Sequence, residues 1–235
     1  MKRFLMYLLV SVLLLGGLSA CAPVEHEDGV LSIVCTTFSL YDWTRALVGE
    51  REGVKLILLA DGGKDLHSYE PSIKDMRVIS ECDLFIGVGG SSEEWLVEYL
   101  ETSETVPGRT ILLTELLHEH LLEEPEVSRE PHLHEDEGHS HGTYDEHVWL
   151  SPALAQKACE AITEVLCALD GAGAEQYLRG YEAYAKELAD LSAEYARIAS
   201  AAKQKTLVFA DRYPFVYLFD ECGLSAYAAF PGCTS

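Results

Sequence analysis

The chain has 235 residues, 48% of them hydrophobic, which is enough apolar material for one large domain or two small ones and excludes a disordered tail protein. Its 39 acidic residues outnumber 17 basic ones and give a formal net charge of −22. Because such a surface repels phosphate backbones, the composition argues against nucleic-acid binding.

The first twenty-one residues have the pattern of an export signal. Two basic residues precede an apolar run over residues 4–18, which is shorter than the ~20 residues that span a bilayer. The sequence LSAC that ends at Cys21 resembles the bacterial lipoprotein box, in which lipid is attached to the cysteine after cleavage just before it. We therefore predict a lipid anchor at Cys21 and a tether over residues 22–29. The alternative is an ordinary secretory signal cleaved near Ala20 or Ala22, and either way the chain is exported.

Apolar strand patterns then alternate with amphipathic helix patterns. Strands are predicted over residues 31–35, 54–59, 83–88 and 110–113, and helices over residues 40–48, over residues 72–80 and from a cap at Ser92. The strands are continuously hydrophobic, as in a parallel sheet that is covered on both faces. The prediction is a doubly wound α/β lobe over residues 30–173.

A segment rich in histidine and acid interrupts the lobe over residues 117–146. Seven of the nine histidines lie from His118 to His147, and residues 119–146 carry ten acids and one base. The segment is therefore predicted to be a loop, and four of its histidines are predicted to collect metal: His132, His134, His139 and His141. Imidazoles and carboxylates on a flexible chain suit Zn²⁺ better than harder ions. A solvated acidic loop and a pH sensor are the alternatives.

The rest of the chain predicts a linker and the start of a second lobe. A helix begins at Ser151, and an uninterrupted helical pattern covers residues 174–203, about 45 Å of helix. Residues 204–235 repeat the strand, turn, aromatic helix and glycine of the first unit when Gly223 is placed on Gly49. Two strands and one helix cannot close a core, so this lobe is expected to be incomplete.

Two histidines in separate motifs are candidate metal ligands. His67 lies in the sequence HSYEPS after the second strand, where ligands of doubly wound folds bind. His147 lies in the sequence DEHVWLSP just before a helix, and Asp145 is a candidate to fix its tautomer from the second coordination shell.

Together, HSYEPS, DEHVWLSP and the intervening loop closely resemble the substrate-binding lipoproteins of bacterial zinc and manganese ABC importers, and the resemblance covers essentially the whole chain. It implies two α/β lobes joined by one rigid helix, with the metal ion held between them. It also implies that His67 and His147 are ligands, that the cargo is Zn²⁺ or alternatively Mn²⁺, and that the partners are a membrane permease and its ATPase. A monomer anchored on the outer face of the cytoplasmic membrane is expected.

The third ligand departs from that family's pattern. Where the family has His or Glu, the alignment on Gly223 places Arg212, which cannot coordinate a cation. The adjacent Asp211 is therefore a weak candidate for the third metal ligand, unless that ligand comes from elsewhere. The family's fourth ligand would lie beyond Ser235. Because zinc sites usually have four ligands, the cleft of this chain is expected to bind metal weakly.

Two other functions are compatible with parts of the sequence. A zinc hydrolase would pair His67 with Glu70 or His147 with Asp145, but no HExxH, GxSxG or P-loop sequence is present. A surface adhesin or extracellular zinc buffer would need only the loop.

The spacing of the six cysteines after Cys21 selects no disulfide pairing, and the sequence contains no CxxC motif.

Overall fold

The structure is a computed structural model, and it describes residues 29–62, 68–102, 109–124, 144–230 and 232. The chain forms two compact units, residues 1–30 and residues 31–235. All but the last two residues of the first unit lie outside the described part, and every described helix and strand belongs to the second unit. Within the described part, no helix is long and apolar enough to cross a membrane.

The elements alternate as the sequence predicts. The strands are β1 (Leu31–Cys35), β2 (Val54–Leu58), β3 (Leu84–Gly87), β4 (Thr110–Leu112), β5 (Thr206–Arg212) and β6 (Ser225–Phe230). The helices are α1 (Phe38–Val48), α2 (Ile73–Glu81), α3 (Glu94–Thr102), α4 (Leu113–Leu116), α5 (Pro152–Leu169), α6 (Ala174–Ala201) and α7 (Val216–Cys222).

The first four strands form one parallel sheet in the order β2-β1-β3-β4. Alternate residues of each strand enter cores on opposite faces: Ile33 packs with α1, α5 and α6, whereas Val34 packs with α2 and α3. Burial on both faces explains the continuous apolar runs. The predicted α/β class with a parallel sheet is confirmed. The chain leaves β1 toward β2 and then crosses to β3, so the switch point of the sheet lies at the carboxyl ends of β1 and β3.

The long helix α6 packs against α1 and α5, and it makes close backbone contact with α1 at Gly180. A Cβ atom built at Gly180 would lie 2.5 Å from the carbonyl oxygen of Leu47 and 2.8 Å from that of Ala46. In the predicted apolar seam Tyr177 and Leu188 are buried, whereas the positions after Leu188, such as Ile198, are exposed. The seam is therefore packed as far as Leu188 and exposed beyond it, although Ala199 near the end of the helix is buried.

The last three elements form a smaller parallel unit. Strands β5 and β6 pair in parallel, and α7 connects them and packs through Phe219, whose ring centroid lies 5.7 Å from that of Phe209. The outer positions of this sheet are apolar and exposed, among them Val208 and Tyr227.

The cysteines of the described part are free thiols. Burial raises the pKa of Cys35 to about 12, that of Cys82 to about 11 and that of Cys159 to about 12. Because a metal needs the thiolate, these three cysteines are poor ligands. Cys21 and Cys233 lie outside the described residues.

Candidate metal centre

His147 is buried and oriented by the carboxylate of Asp145. The side chains of both residues are nearly inaccessible to solvent. Asp145 Oδ1 accepts hydrogen bonds from the backbone N of His147 at 2.8 Å and from its ring Nδ1 at 3.1 Å. Since a carboxylate can only accept, Nδ1 carries the proton and Nε2 has the lone pair that a metal ion needs. The structure thus brings together the two residues that the sequence pairs, and their roles towards a metal ion stay a prediction.

Neighbouring groups fix the position of this pair. The ring of Trp149 lies 5.0 Å from that of His147, centroid to centroid. The buried Gly232 also approaches the pair: a Cβ there would lie 2.7 Å from Asp145 Oδ2 and 3.1 Å from His147 Cε1. Within the described part of the chain, Asp145 Oδ2 accepts no hydrogen bond. A buried carboxylate oxygen in this state is stabilised by a nearby positive charge, which a cation on His147 would supply.

The residue between the pair, Glu146, attaches the motif to the end of β3. Its carboxylate accepts hydrogen bonds from the backbone N of Ser91 and, at 3.0 Å, from that of Ser92. The predicted serine cap at Ser92 is therefore wrong: α3 begins at Glu94 after a 3-10 turn, and an acid from a distant motif binds the amides before it. A carboxylate is favoured there because helix N-termini carry partial positive charge. The contact places the motif at the carboxyl end of β3, beside the switch point of the sheet.

The start of α3 also holds the other predicted ligand motif. His67 lies outside the described residues, but Tyr69, two positions later, is buried. The Tyr69 ring meets Trp95 of α3 edge to face at a centroid distance of 6.2 Å. Because Glu146 binds the amides just before α3, both motifs are anchored at the same helix start.

Besides Asp145 and Glu146, the carboxyl group of Glu93 is buried in this region. Glu93 is inaccessible, and its Oε2 accepts a hydrogen bond from the backbone N of Gly89 at 2.9 Å. Burial raises the pKa of Glu93 from 4.5 to about 7, although contacts with Gly89, Thr36 and Val88 lower it in part. The sequence pattern does not predict that Glu93 is buried, because Glu93 and its exposed neighbour Glu94 both have the pattern of acids in a first helical turn.

The predicted third ligand lies at the end of β5. Asp211 is exposed, and its Oδ1 accepts a hydrogen bond from the backbone N of the adjacent Arg212 at 2.8 Å. Within the described residues, no three His, Cys, Asp or Glu side chains converge on a possible metal position. Two residues after Asp211, the chain comes close to Asp145: a Cβ at Gly232 would lie 3.1 Å from the carbonyl oxygen of Tyr213 and 2.7 Å from Asp145 Oδ2. Burial, and then the charge of Asp145, raises the pKa of Tyr213 to about 12. The role of Asp211 stays a prediction.

Two stretches of the histidine-rich segment, residues 122–123 and residues 144–145, meet beside the Asp145 and His147 pair. Glu123 and Tyr144 form an antiparallel bridge, and the backbone N of Asp145 donates to the carbonyl of Leu122 at 3.0 Å. The four predicted collecting histidines, His132, His134, His139 and His141, lie outside the described residues. His118 and His120, before the bridge, are exposed, and His118 Nδ1 is 3.0 Å from the carbonyl of Glu115.

Comparison with known proteins gives one family match. A family described as "Zinc-uptake complex component A periplasmic" (ZnuA) matches residues 33–235. The zinc-binding lipoprotein AdcA of Streptococcus pneumoniae (strain ATCC BAA-255 / R6) is 35% identical over 212 residues, which are 90% of this chain and 41% of AdcA. The high-affinity zinc uptake system protein ZnuA of Bacillus subtilis (strain 168) is 29% identical over 209 residues, which are 89% of this chain and 64% of that protein.

A solved structure gives the same result for the fold. The Zn(II)-bound ZnuA-like domain of Streptococcus pneumoniae AdcA matches with a TM-score of 0.67 and 30% identity, and the match covers 85% of this chain and 67% of that domain. The chain spans about two fifths of the length of AdcA and about two thirds of that of its Bacillus subtilis relative.

Proposed function

Since this chain belongs to the zinc-uptake complex component A family, we propose that it captures Zn²⁺ outside the cytoplasmic membrane and delivers it to an ABC import permease. The observation that carries the proposal is the buried His147, whose Nδ1 is bound by Asp145 so that Nε2 is the metal-binding nitrogen. The family is one of uptake components and not of enzymes, which agrees with the expectation that the chain is no hydrolase.

Each predicted residue has a role in this proposal. His67 and His147 coordinate the ion from the first lobe, and Asp211 is the candidate ligand from β5. Lipid at Cys21 holds the protein at the membrane, close to the permease and its ATPase. Zn²⁺ is preferred over Mn²⁺ because imidazole nitrogen suits zinc, whereas manganese favours oxygen ligands.

The proposed domains follow the sequence boundaries. Residues 30–173 form the first lobe, residues 174–203 the linker helix, and residues 204–235 belong to a second lobe. The pairing of β5 with β6, apart from the four-stranded sheet, supports this division. The cleft between the lobes would then lie beside Asp145 and His147, where Tyr213 and Gly232 approach the pair.

The first test removes the oriented imidazole. His147→Ala is expected to weaken Zn²⁺ binding at the cleft by at least about tenfold, since changes in second-shell partners alone cost 10–100-fold. Zn²⁺ affinity is measured by competition with a chromophoric chelator. The parent protein is the full-length chain in which the four collecting histidines are replaced by alanine. His118→Ala is the matched control, because this exposed imidazole is predicted to leave affinity unchanged. Equal affinities for His147→Ala and its parent would refute the proposal.

A second function is favoured by the position of the loop ends beside His147. The histidines between them would collect Zn²⁺ at low affinity and pass it to the cleft. Deleting residues 128–142 separates a collector from a protein that acts through the loop alone. We expect zinc-limited growth to survive the deletion with a reduced rate of zinc uptake. Complete loss of growth, at normal protein levels, would favour an extracellular zinc buffer or adhesin instead.

A further inference from the structure

Tyr217 of α7 connects the second half of the chain to the residue that orients His147. Its hydroxyl donates a hydrogen bond to the carbonyl oxygen of Asp145 and accepts one from the backbone N of Leu122 at 3.3 Å. The side chain is 2% exposed, so water does not compete for these bonds. One hydroxyl thus binds both chain segments that meet at the base of the histidine-rich segment.

The helix that carries Tyr217 is itself held in place. Glu221, one turn further along α7, accepts hydrogen bonds from the hydroxyl of Ser151 at 2.7 Å and from the hydroxyl of Ser192. Ser151 is the N-cap of α5, four residues after His147, and Ser192 lies on the long helix α6. Tyr217 therefore approaches Asp145 from a helix that is fixed to two other elements.

We infer that Tyr217 is a positioning residue for metal capture. It holds the backbone of Asp145, so that the Asp145 carboxylate keeps Nδ1 of His147 protonated and Nε2 directed to the metal. This inference rests on the proposed function, in which His147 is a zinc ligand. It goes further by assigning the orientation of that ligand to a residue of the second half, about 70 positions away in sequence.

The hydroxyl can be separated from the ring by a conservative change. The Tyr217 ring packs in the main core, and Tyr217→Phe keeps that packing while removing both hydrogen bonds. Without them the carbonyl of Asp145 loses a buried donor, and the residue can relax away from His147.

The test measures zinc affinity and the tautomer of His147 in full chain that lacks the four collecting histidines. Tyr217→Phe is expected to weaken Zn²⁺ binding by about tenfold, the lower end of second-shell effects. Long-range ¹H–¹⁵N correlation spectra of the metal-free protein should show a larger share of the Nε2-protonated tautomer. A purely structural hydroxyl would lower the melting temperature and leave both readouts unchanged, and that result would overturn the inference.

Two further variants complete the experiment. Tyr184→Phe is the matched control, because its hydroxyl bonds Asp42 on α1, and it should change neither readout. Glu221→Gln loosens α7 without touching Asp145, and it should shift both readouts in the same direction as Tyr217→Phe but less.

The outcomes also separate this inference from the proposed function. If His147→Ala binds Zn²⁺ as tightly as its parent, the proposed function fails. If His147→Ala loses affinity while Tyr217→Phe keeps both its affinity and the parent tautomer, only the role of Tyr217 fails.

Discussion

Gly180→Ala is expected to lower the free energy of unfolding by about 3 kcal/mol, the upper part of the range for overpacking a close contact. On an exposed helix surface the same change would stabilise by about 1 kcal/mol, because alanine has the higher helix propensity. Here the new methyl group would lie 2.5 Å from the carbonyl oxygen of Leu47 and 2.9 Å from its Cα. Backbone atoms of a packed helix cannot move aside, so α6 must separate from α1.

Denaturant unfolding and thermal melting measure this effect. A loss of about 3 kcal/mol corresponds to roughly 6–12 °C in melting temperature for a chain of this size. The control is Gly171→Ala in the turn before α6, where a Cβ meets nothing within 4 Å. It should change stability by less than about 0.5 kcal/mol. A Gly180→Ala protein as stable as its parent would mean that α1 and α6 are not in close contact.

Glu93→Gln is expected to stabilise the protein above neutral pH and to have no effect in acid. Folding raises the pKa of this carboxyl group from 4.5 to about 7, so the folded state favours the protonated form. The penalty for ionisation is absent below pH 4.5, grows between the two pKa values and is complete above pH 7. A difference of that size corresponds to about 3 kcal/mol. Glutamine stays neutral and keeps an oxygen that can accept from the backbone N of Gly89.

The measurement is the free energy of unfolding of both proteins at pH 4 and pH 8. The matched control is Glu94→Gln, which neutralises the neighbouring exposed acid. Since Glu94 lies in the first turn of α3, its loss should destabilise slightly, by less than about 1 kcal/mol at pH 8. If Glu93→Gln gave the same difference from its parent at both pH values, the carboxyl group would not be buried as described.

The order and type of the elements could be predicted from sequence because the central strands β1 and β3 are buried on both faces and the edge strands β2 and β4 are still mostly apolar. A run such as LSIVC in β1 has no strongly polar residue on either face, and the helices between the strands have one apolar side each. The start of α3 could not be predicted. Its serines resemble a cap, but the group that binds the amides is Glu146, 54 residues away from Ser92, and local sequence holds no information about such a partner.

The residues of the candidate site also fall into two groups, those that could be predicted from sequence and those that could not. The pairing of Asp145 with His147 spans two residues and could be recognised in the motif. Tyr217 and Gly232 could not, because their importance comes from contacts made after the chain has passed through α5 and α6. The signal in the sequence is indirect. The aromatic helix after Asp211 resembles part of an internal repeat, and the AFPGC segment resembles part of the family pattern. Neither resemblance indicates that Tyr217 and Gly232 lie beside Asp145 and His147.

The bridge between Glu123 and Tyr144 makes the length of the chain between them nearly free to change. With its ends joined, doubling such a segment costs only about 0.6 kcal/mol of loop-closure entropy. Its histidine number can therefore rise or fall over evolutionary time with little effect on the folded lobe. For protein engineering, the same bridge is a natural insertion point, where a foreign peptide or reporter domain would enter and leave the lobe at one place, within a few residues of His147.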